Sequence, residues 1–142
     1  MKIVLDTNCF ISCIGKLSQY RNVFDEFLAG NYTLCFSTEV LLEYEEIFLL
    51  KWGYDVTENL IGTLLTAKNI QFVTIHFNFN VVDGDKDDNK FADLFLASNA
   101  DFLVSNDSQI LALHKSGFPP FQVITLQEFS AMLKVKNKQK HS

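Results

Sequence analysis

Lys2-Ile3-Val4-Leu5-Asp6-Thr7-Asn8 is a short, mostly apolar strand that runs straight into an acid and two polar residues. The same pattern returns near the other end of the chain, where the strand Phe102-Leu103-Val104-Ser105 is followed by Asn106-Asp107. Between the two, apolar periodicity switches repeatedly between strand and helix. Tyr20, Val23, Phe24, Phe27 and Leu28 recur at helical spacing, and Gly30 closes that helix. Tyr32 to Phe36 reads as the second strand. Ser37 or Thr38 caps a helix with Glu39 in its first turn and Val40, Tyr44, Ile47 and Phe48 on its buried stripe. Thr57 opens a further helix to about Lys68, and Gln71 to Ile75 is a strand. Asp83 to Asn89 reads as an acidic loop, with a helix from Asp88 or Asn89 carrying Phe91, Ala92, Phe95 and Leu96. Asp107 starts a short helix over Ile110 to Leu113, before Gly117 and the Pro119-Pro120 turn. Val123-Ile124 is a last strand, and Thr125 with Glu128 forms a capping box for a helix through Leu133. Strands alternating with helices predict a three-layer α/β/α sandwich around a mainly parallel sheet.

The 142 residues, 48% hydrophobic and 20% charged, suffice for one domain with its own core and exclude extended disorder. The expected organisation is a single domain over residues 1–133 and a basic, disordered tail over 134–142, where Lys134, Lys136, Lys138 and Lys140 alternate. No apolar run approaches the roughly 18 to 20 residues of a spanning helix. The first strand meets an acid after three apolar residues, too soon for a signal peptide. A cytoplasmic protein with no membrane contact is therefore expected. Cys9, Cys13 and Cys35 lack the spacing of a zinc site or a disulfide framework and read as buried thiols.

The net charge of −5 argues at first against a nucleic-acid partner. However, Asp83, Asp85, Asp87, Asp88 and Asp93 concentrate the negative charge, and carboxylates that hold divalent cations invert the local sign. In open α/β sheets, ligands bind beyond the carboxyl ends of the strands. Four acids are expected on that edge: Asp6 after the first strand, Glu43 about a turn into the helix after the second, Asp88 at a helix start, and Asp107 after the fourth strand. Singly, each reads more readily as a turn, cap or surface residue. Together they would repel one another without a cation, and such hard oxygen ligands suit Mg2+ or Mn2+.

Ile3 to Asn8, Ser37-Thr38-Glu39-Val40-Leu41-Leu42-Glu43-Tyr44, Asp87-Asp88-Asn89-Lys90-Phe91 and Ala100 to Asp107 resemble the motifs of PIN-domain ribonucleases, in the same order and spacing. The likeness is nearest to the VapC-like toxins of bacterial toxin–antitoxin pairs and extends from Lys2 to about Leu133. It implies an endoribonuclease dependent on Mg2+ or Mn2+, cutting RNA as a homodimer restrained by an antitoxin protein. Asp6, Glu43, Asp88 and Asp107 carry over as the metal-binding, catalytic acids. Asp88 is preferred over Asp93 because it stands nineteen residues before Asp107 with Phe91 three positions on. Asp93 lies about 140° further round a helix and is kept as auxiliary, with Ser105, which stands where the family often has a threonine, and Asn8.

Other readings fare worse. Asp83 to Asp87 imitates a calcium loop, but the sixth position is Asp88 where Gly is wanted and the twelfth is Leu94 where Glu is wanted. A haloacid-dehalogenase-like phosphatase needs a second Asp two residues after the first, and that position is Asn8. His76, His114 and His141 are scattered and form no triad. A catalytically silent PIN-like binding domain would be expected to lack at least one acid. Finally, Phe10, Tyr20, Tyr44, Phe48 and Trp52 are expected to exceed what a small core buries, leaving aromatic surface for a protein interface.

Overall fold

The five strands of this computed structural model form one sheet in the order β3-β2-β1-β4-β5, with every neighbouring pair parallel. The structure describes residues 1–76, 86–115 and 121–140, and for 86–88, 115 and 140 the backbone alone. The strands are β1 (Lys2–Leu5), β2 (Thr33–Phe36), β3 (Ile70–Phe72), β4 (Phe102–Val104) and β5 (Val123–Ile124). Helices α1 (Thr7–Ile14), α2 (Arg21–Leu28), α3 (Thr38–Trp52), α4 (Tyr54–Thr66), α5 (Lys86–Ser98), α6 (Ser108–Leu111) and α7 (Leu126–Lys140) complete the α/β/α sandwich. A parallel sheet covered on both faces needs strands that are apolar throughout. Ile3, Val4, Leu5, Leu34, Cys35, Phe36, Leu103 and Val104 are accordingly all buried.

The central pairing matters most. Ile3, Val4 and Leu5 of β1 lie opposite Phe102, Leu103 and Val104 of β4. The ladder continues one step, with the Asp6 N–H donating to the Val104 carbonyl at 3.0 Å. In-register parallel strands thus deliver Asp6 and Ser105 to the same point of the sheet edge.

Several elements depart from the expected bounds. Helix α1 begins directly at Thr7, where only a turn is evident in the sequence; Cys9, Phe10 and Cys13 form its buried face. Helix α4 starts three residues before Thr57, because Gly53 at φ 82° turns the chain straight out of α3, its N–H still reaching the Leu49 carbonyl at 3.1 Å. Strand β3 stops at Phe72 rather than Ile75. Lys86 to Asn89 form the first turn of α5 instead of a loop, and residues 83–85, Gly117, Pro119, Pro120 and His141 lie outside the described residues. The capping box is present: Thr125 N–H donates to Glu128 at 3.0 Å and Glu128 N–H to the Thr125 hydroxyl at 3.1 Å. The helix it opens continues past Leu133 to Lys140, so the basic residues extend α7.

None of the five aromatics expected to exceed the core is fully exposed. Phe10, Tyr44 and Phe48 are buried, with Tyr20 and Trp52 partly so. Phe10 sits at the hub, its ring centroid 4.9 Å from Tyr44, 5.4 Å from Phe48 and 6.2 Å from Phe24. Three helices are joined through these rings, which is why a small core accommodates so many of them. The exposed apolar side chains are aliphatic in the main, among them Leu42, Leu49, Leu50, Val56 and Leu65 on α3 and α4. The cysteines are free and buried as expected, with burial pushing the Cys9 thiol up to about 12. Among the described residues no helix is long and apolar enough to cross a membrane.

Phe10→Ala should lower the unfolding free energy by about 3–5 kcal/mol, the cost of emptying a buried aromatic site. Urea denaturation checks this, and a loss below about 1 kcal/mol would contradict the hub role.

Candidate active site

Asp6 is the last position of the β1 ladder and the N-cap of α1, its Oδ1 accepting from the Asn8 N–H at 3.0 Å. Its Oδ2 accepts from the Ser105 hydroxyl at 2.7 Å. Ser105 is fully buried, and its oxygen in turn accepts the Asp107 N–H at 3.0 Å. Asp107 caps α6, with Oδ1 receiving the N–H groups of Gln109 at 2.8 Å and Ile110 at 3.3 Å. One serine thus ties the two post-strand acids into a single hydrogen-bonded unit. The ordinary cap reading holds for both Asp6 and Asp107.

Glu43 is held from the other side. Ser37 caps α3 by accepting the Val40 N–H at 3.3 Å. Val40, Tyr44 and Phe48 pack inward on α3, and the Tyr44 hydroxyl donates to the Leu5 carbonyl, next to Asp6. That contact pins α3 to the end of β1 and sets Glu43 beside Thr7, whose hydroxyl donates to Glu43 Oε2. The Lys90 ammonium of α5 meets Glu43 Oε1 at 2.6 Å.

Asp6 is only 7% exposed. Burial raises its pKa from 3.8, the Ser105 and Asn8 hydrogen bonds pull it back, and the charges of Glu43 and Asp107 push it up again. The last cause places both other acids within electrostatic reach of Asp6. Asp88 lies on the first turn of α5, and its side chain is outside the described residues. Asp93, expected to be turned away, is buried at 4% exposure. With Lys90, Ser37, Thr38, Glu39 and Ile75 it lines a cavity of about 70 Å³ at the N-terminus of α3. Asn8 reaches Asp6 through its backbone N–H.

Among the described residues no three acid, histidine or cysteine side chains form a ready-made metal cage. The carboxylates are distributed over protein donors instead: Asp6 on Ser105 and Asn8, Glu43 on Thr7 and Lys90, Asp107 on the α6 backbone. The donor chemistry still fits a hard divalent cation, because Asp6 is a buried carboxyl raised by burial and by two like charges, and the acids offer oxygen alone. Sequence reasoning misses Thr7 and Lys90 as the partners of Glu43. Both stand inside the quoted motifs, Thr7 directly after Asp6 and Lys90 directly before Phe91, yet no spacing rule connects either to Glu43.

Comparison with known proteins bears on family and fold. A family model described as the PIN domain matches residues 2–109. The fold is similar to that of a chain in the crystal structure of VapBC2 from Rickettsia felis bound to a DNA fragment from their promoter. That likeness has a TM-score of 0.60 at 20% identity, covering 88% of this chain and 98% of that one. No curated protein sequence matches the chain.

With its pKa raised in the folded state, Asp6 opposes folding when ionised, and that cost is relieved as pH falls through the raised value toward 3.8. In EDTA, Asp6→Asn should therefore be more stable than the unaltered protein near about pH 7, with the gap closing near about pH 4. Urea titrations at the two pH values check the sign, and a gap that widens on acidification contradicts it.

Proposed function

This chain belongs to the PIN domain family, and on that premise we propose that it is a metal-dependent endoribonuclease, the toxin of a toxin–antitoxin pair. The observation that carries the reading is the buried Asp6 carboxyl, joined through Ser105 to Asp107 and acted on by the charge of Glu43. Asp6, Glu43, Asp88 and Asp107 are the acids assigned to metal binding. Asp93 is assigned a supporting role through Lys90, whose cavity it shares. The nuclease is assigned to residues 1–133, with 134–142 as a basic extension.

A bound Mg2+ or Mn2+ supplies two things: positive charge for a phosphodiester and a more acidic water as nucleophile. The chain's own groups do the rest. Ser105 fixes the orientation of Asp6 and, through the Asp107 backbone, the start of α6. Thr7 and Lys90 fix Glu43. The position beyond the strand ends leaves the acids reachable by a backbone that can bend into a recess, which favours single-stranded RNA loops over a rigid duplex.

The toxin assignment draws on fold likeness to a chain of the VapBC2 complex. It draws further on the aliphatic surface of α3 and α4, where Leu42, Leu49, Leu50 and Tyr54 are exposed beside a groove of about 360 Å³. Such surface is characteristic of a protein interface, here assigned to an antitoxin and a homodimer partner. Recovery of a specific small protein on pull-down from the native cell, and dimer mass in light scattering, are the expected results.

Asp6→Asn or Asp107→Asn should reduce cleavage of mixed cellular RNA by about 100-fold or more, comparable to losing a direct charge-stabilising group. Ser105→Ala, which disorients both acids without removing either, should cost about 10- to 100-fold. EDTA should abolish cleavage and Mn2+ restore it. Undiminished activity in Asp6→Asn, or in EDTA, would refute the nuclease assignment and favour a silent binding domain. Asp88→Asn is expected to cost more than Asp93→Asn in the same assay, and the reverse order would exchange their roles.

A further inference from the structure

Both oxygens of Glu43 are engaged, and one of them by a cation. Its Oε2 accepts from the Thr7 hydroxyl and its Oε1 is 2.6 Å from the Lys90 ammonium. The pair is sheltered, with the two side chains only 14% and 20% exposed. A lysine that gives up its rotamer freedom to lie inside a cleft, when its long stem would reach water from most helix positions, needs a strong local field to hold it. That field is present: Glu43 in contact, Asp6 close enough to feel the charge of Glu43, and Asp93 lining the same cavity as Lys90. Lys90 is further steadied by the Phe91 ring, 6.0 Å from its nitrogen.

We infer that Lys90 stands in for a second metal ion: its ammonium occupies the place on Glu43 that a second divalent cation would take, so the site holds a single ion, at the Asp6 and Asp107 end. The inference rests on the nuclease reading above, withdraws Glu43 from the acids that hold the ion in the unaltered protein, and fixes the number of ions that reading leaves open. In sites with two ions, carboxylates are shared between cations roughly 4 Å apart. Here Asp6 and Asp107 on one side and Glu43 on the other have different partners. Asp6 and Asp107 are joined by a neutral serine, which leaves their negative charge uncompensated by any described cation in the contacts that hold them. Glu43 is already neutralised by an ammonium. An ammonium donates three hydrogen bonds and has no coordination geometry to satisfy, so it can offset the charge of Glu43 and of an approaching phosphodiester without chelation. It cannot acidify a water as a divalent ion does, so that task falls to the ion at Asp6 and Asp107.

The test is Mn2+ stoichiometry, measured by calorimetric titration and by the electron paramagnetic resonance of free Mn2+, on the full chain and on Lys90→Gln, Lys90→Met and Lys90→Arg. Circular dichroism establishes first that each variant keeps the fold, and Lys90→Met duplicates the neutral replacement should Lys90→Gln not do so. The expected result is one Mn2+ per chain in the unaltered protein and in Lys90→Arg, and two in the neutral variants, where Glu43 is released. Two ions in the unaltered protein would show that Lys90 yields its place and would overturn the inference alone. So would one ion in every variant. No Mn2+ bound by any of them would instead overturn the metal-dependent reading on which the inference stands.

Discussion

The pairing of Leu5 with Val104 decides where everything else in the site can be. Two parallel strands in register end together, and the first residues beyond them, Asp6 and Ser105, meet at 2.7 Å. A slip of one residue would turn Asp6 to the other face of the sheet and bury it without a partner, at a cost of several kcal/mol for an unpaired charge. The apolar sequence of β1 and β4 on both faces therefore does more than fill the core. It sets the register that makes a buried acid tolerable.

Capping and clustering are one arrangement here. Asp6 and Asp107 each open a helix, and the backbone N–H groups they accept offset part of their charge. Those bonds, with Ser105 between the acids, hold the carboxylates in fixed orientations before any ligand arrives. Glu43 reaches the same edge by a different route: the Tyr44 hydroxyl on the Leu5 carbonyl locks α3 to β1, and Thr7 and Lys90 take the carboxylate. The aromatic hub of Phe10, Tyr44 and Phe48 lies directly beneath, so the packing that stabilises the domain also fixes the angle at which α3 presents Glu43.

Much of this is legible in the sequence. Asp6 and Asp107 are visible because each follows a short apolar strand, Glu43 because it precedes a buried Tyr44 on a helix with clear periodicity, and the capping box of α7 because Thr125 and Glu128 stand three apart. What is not legible depends on contacts between distant segments. Helix α1 hides because its buried face is two cysteines and a phenylalanine in eight residues, too short for a period to declare itself. That one small core has room for Phe10 beside Tyr44 and Phe48 depends on three helices converging, which composition cannot reveal. Lys90 reads as one more charge after an acidic run, and only the approach of α3 to α5 turns it into the partner of Glu43. The burial of Asp93 is hidden in the same way: an angle measured round a helix from Asp88 does not say how the helix is seated on the sheet.

The most direct measurement is anomalous diffraction from crystals of the full chain grown with Mn2+. The account predicts a manganese peak within bonding distance of carboxylate oxygens of both Asp6 and Asp107. A peak elsewhere on the surface, or none at that edge of the sheet with Mn2+ in excess, would contradict it.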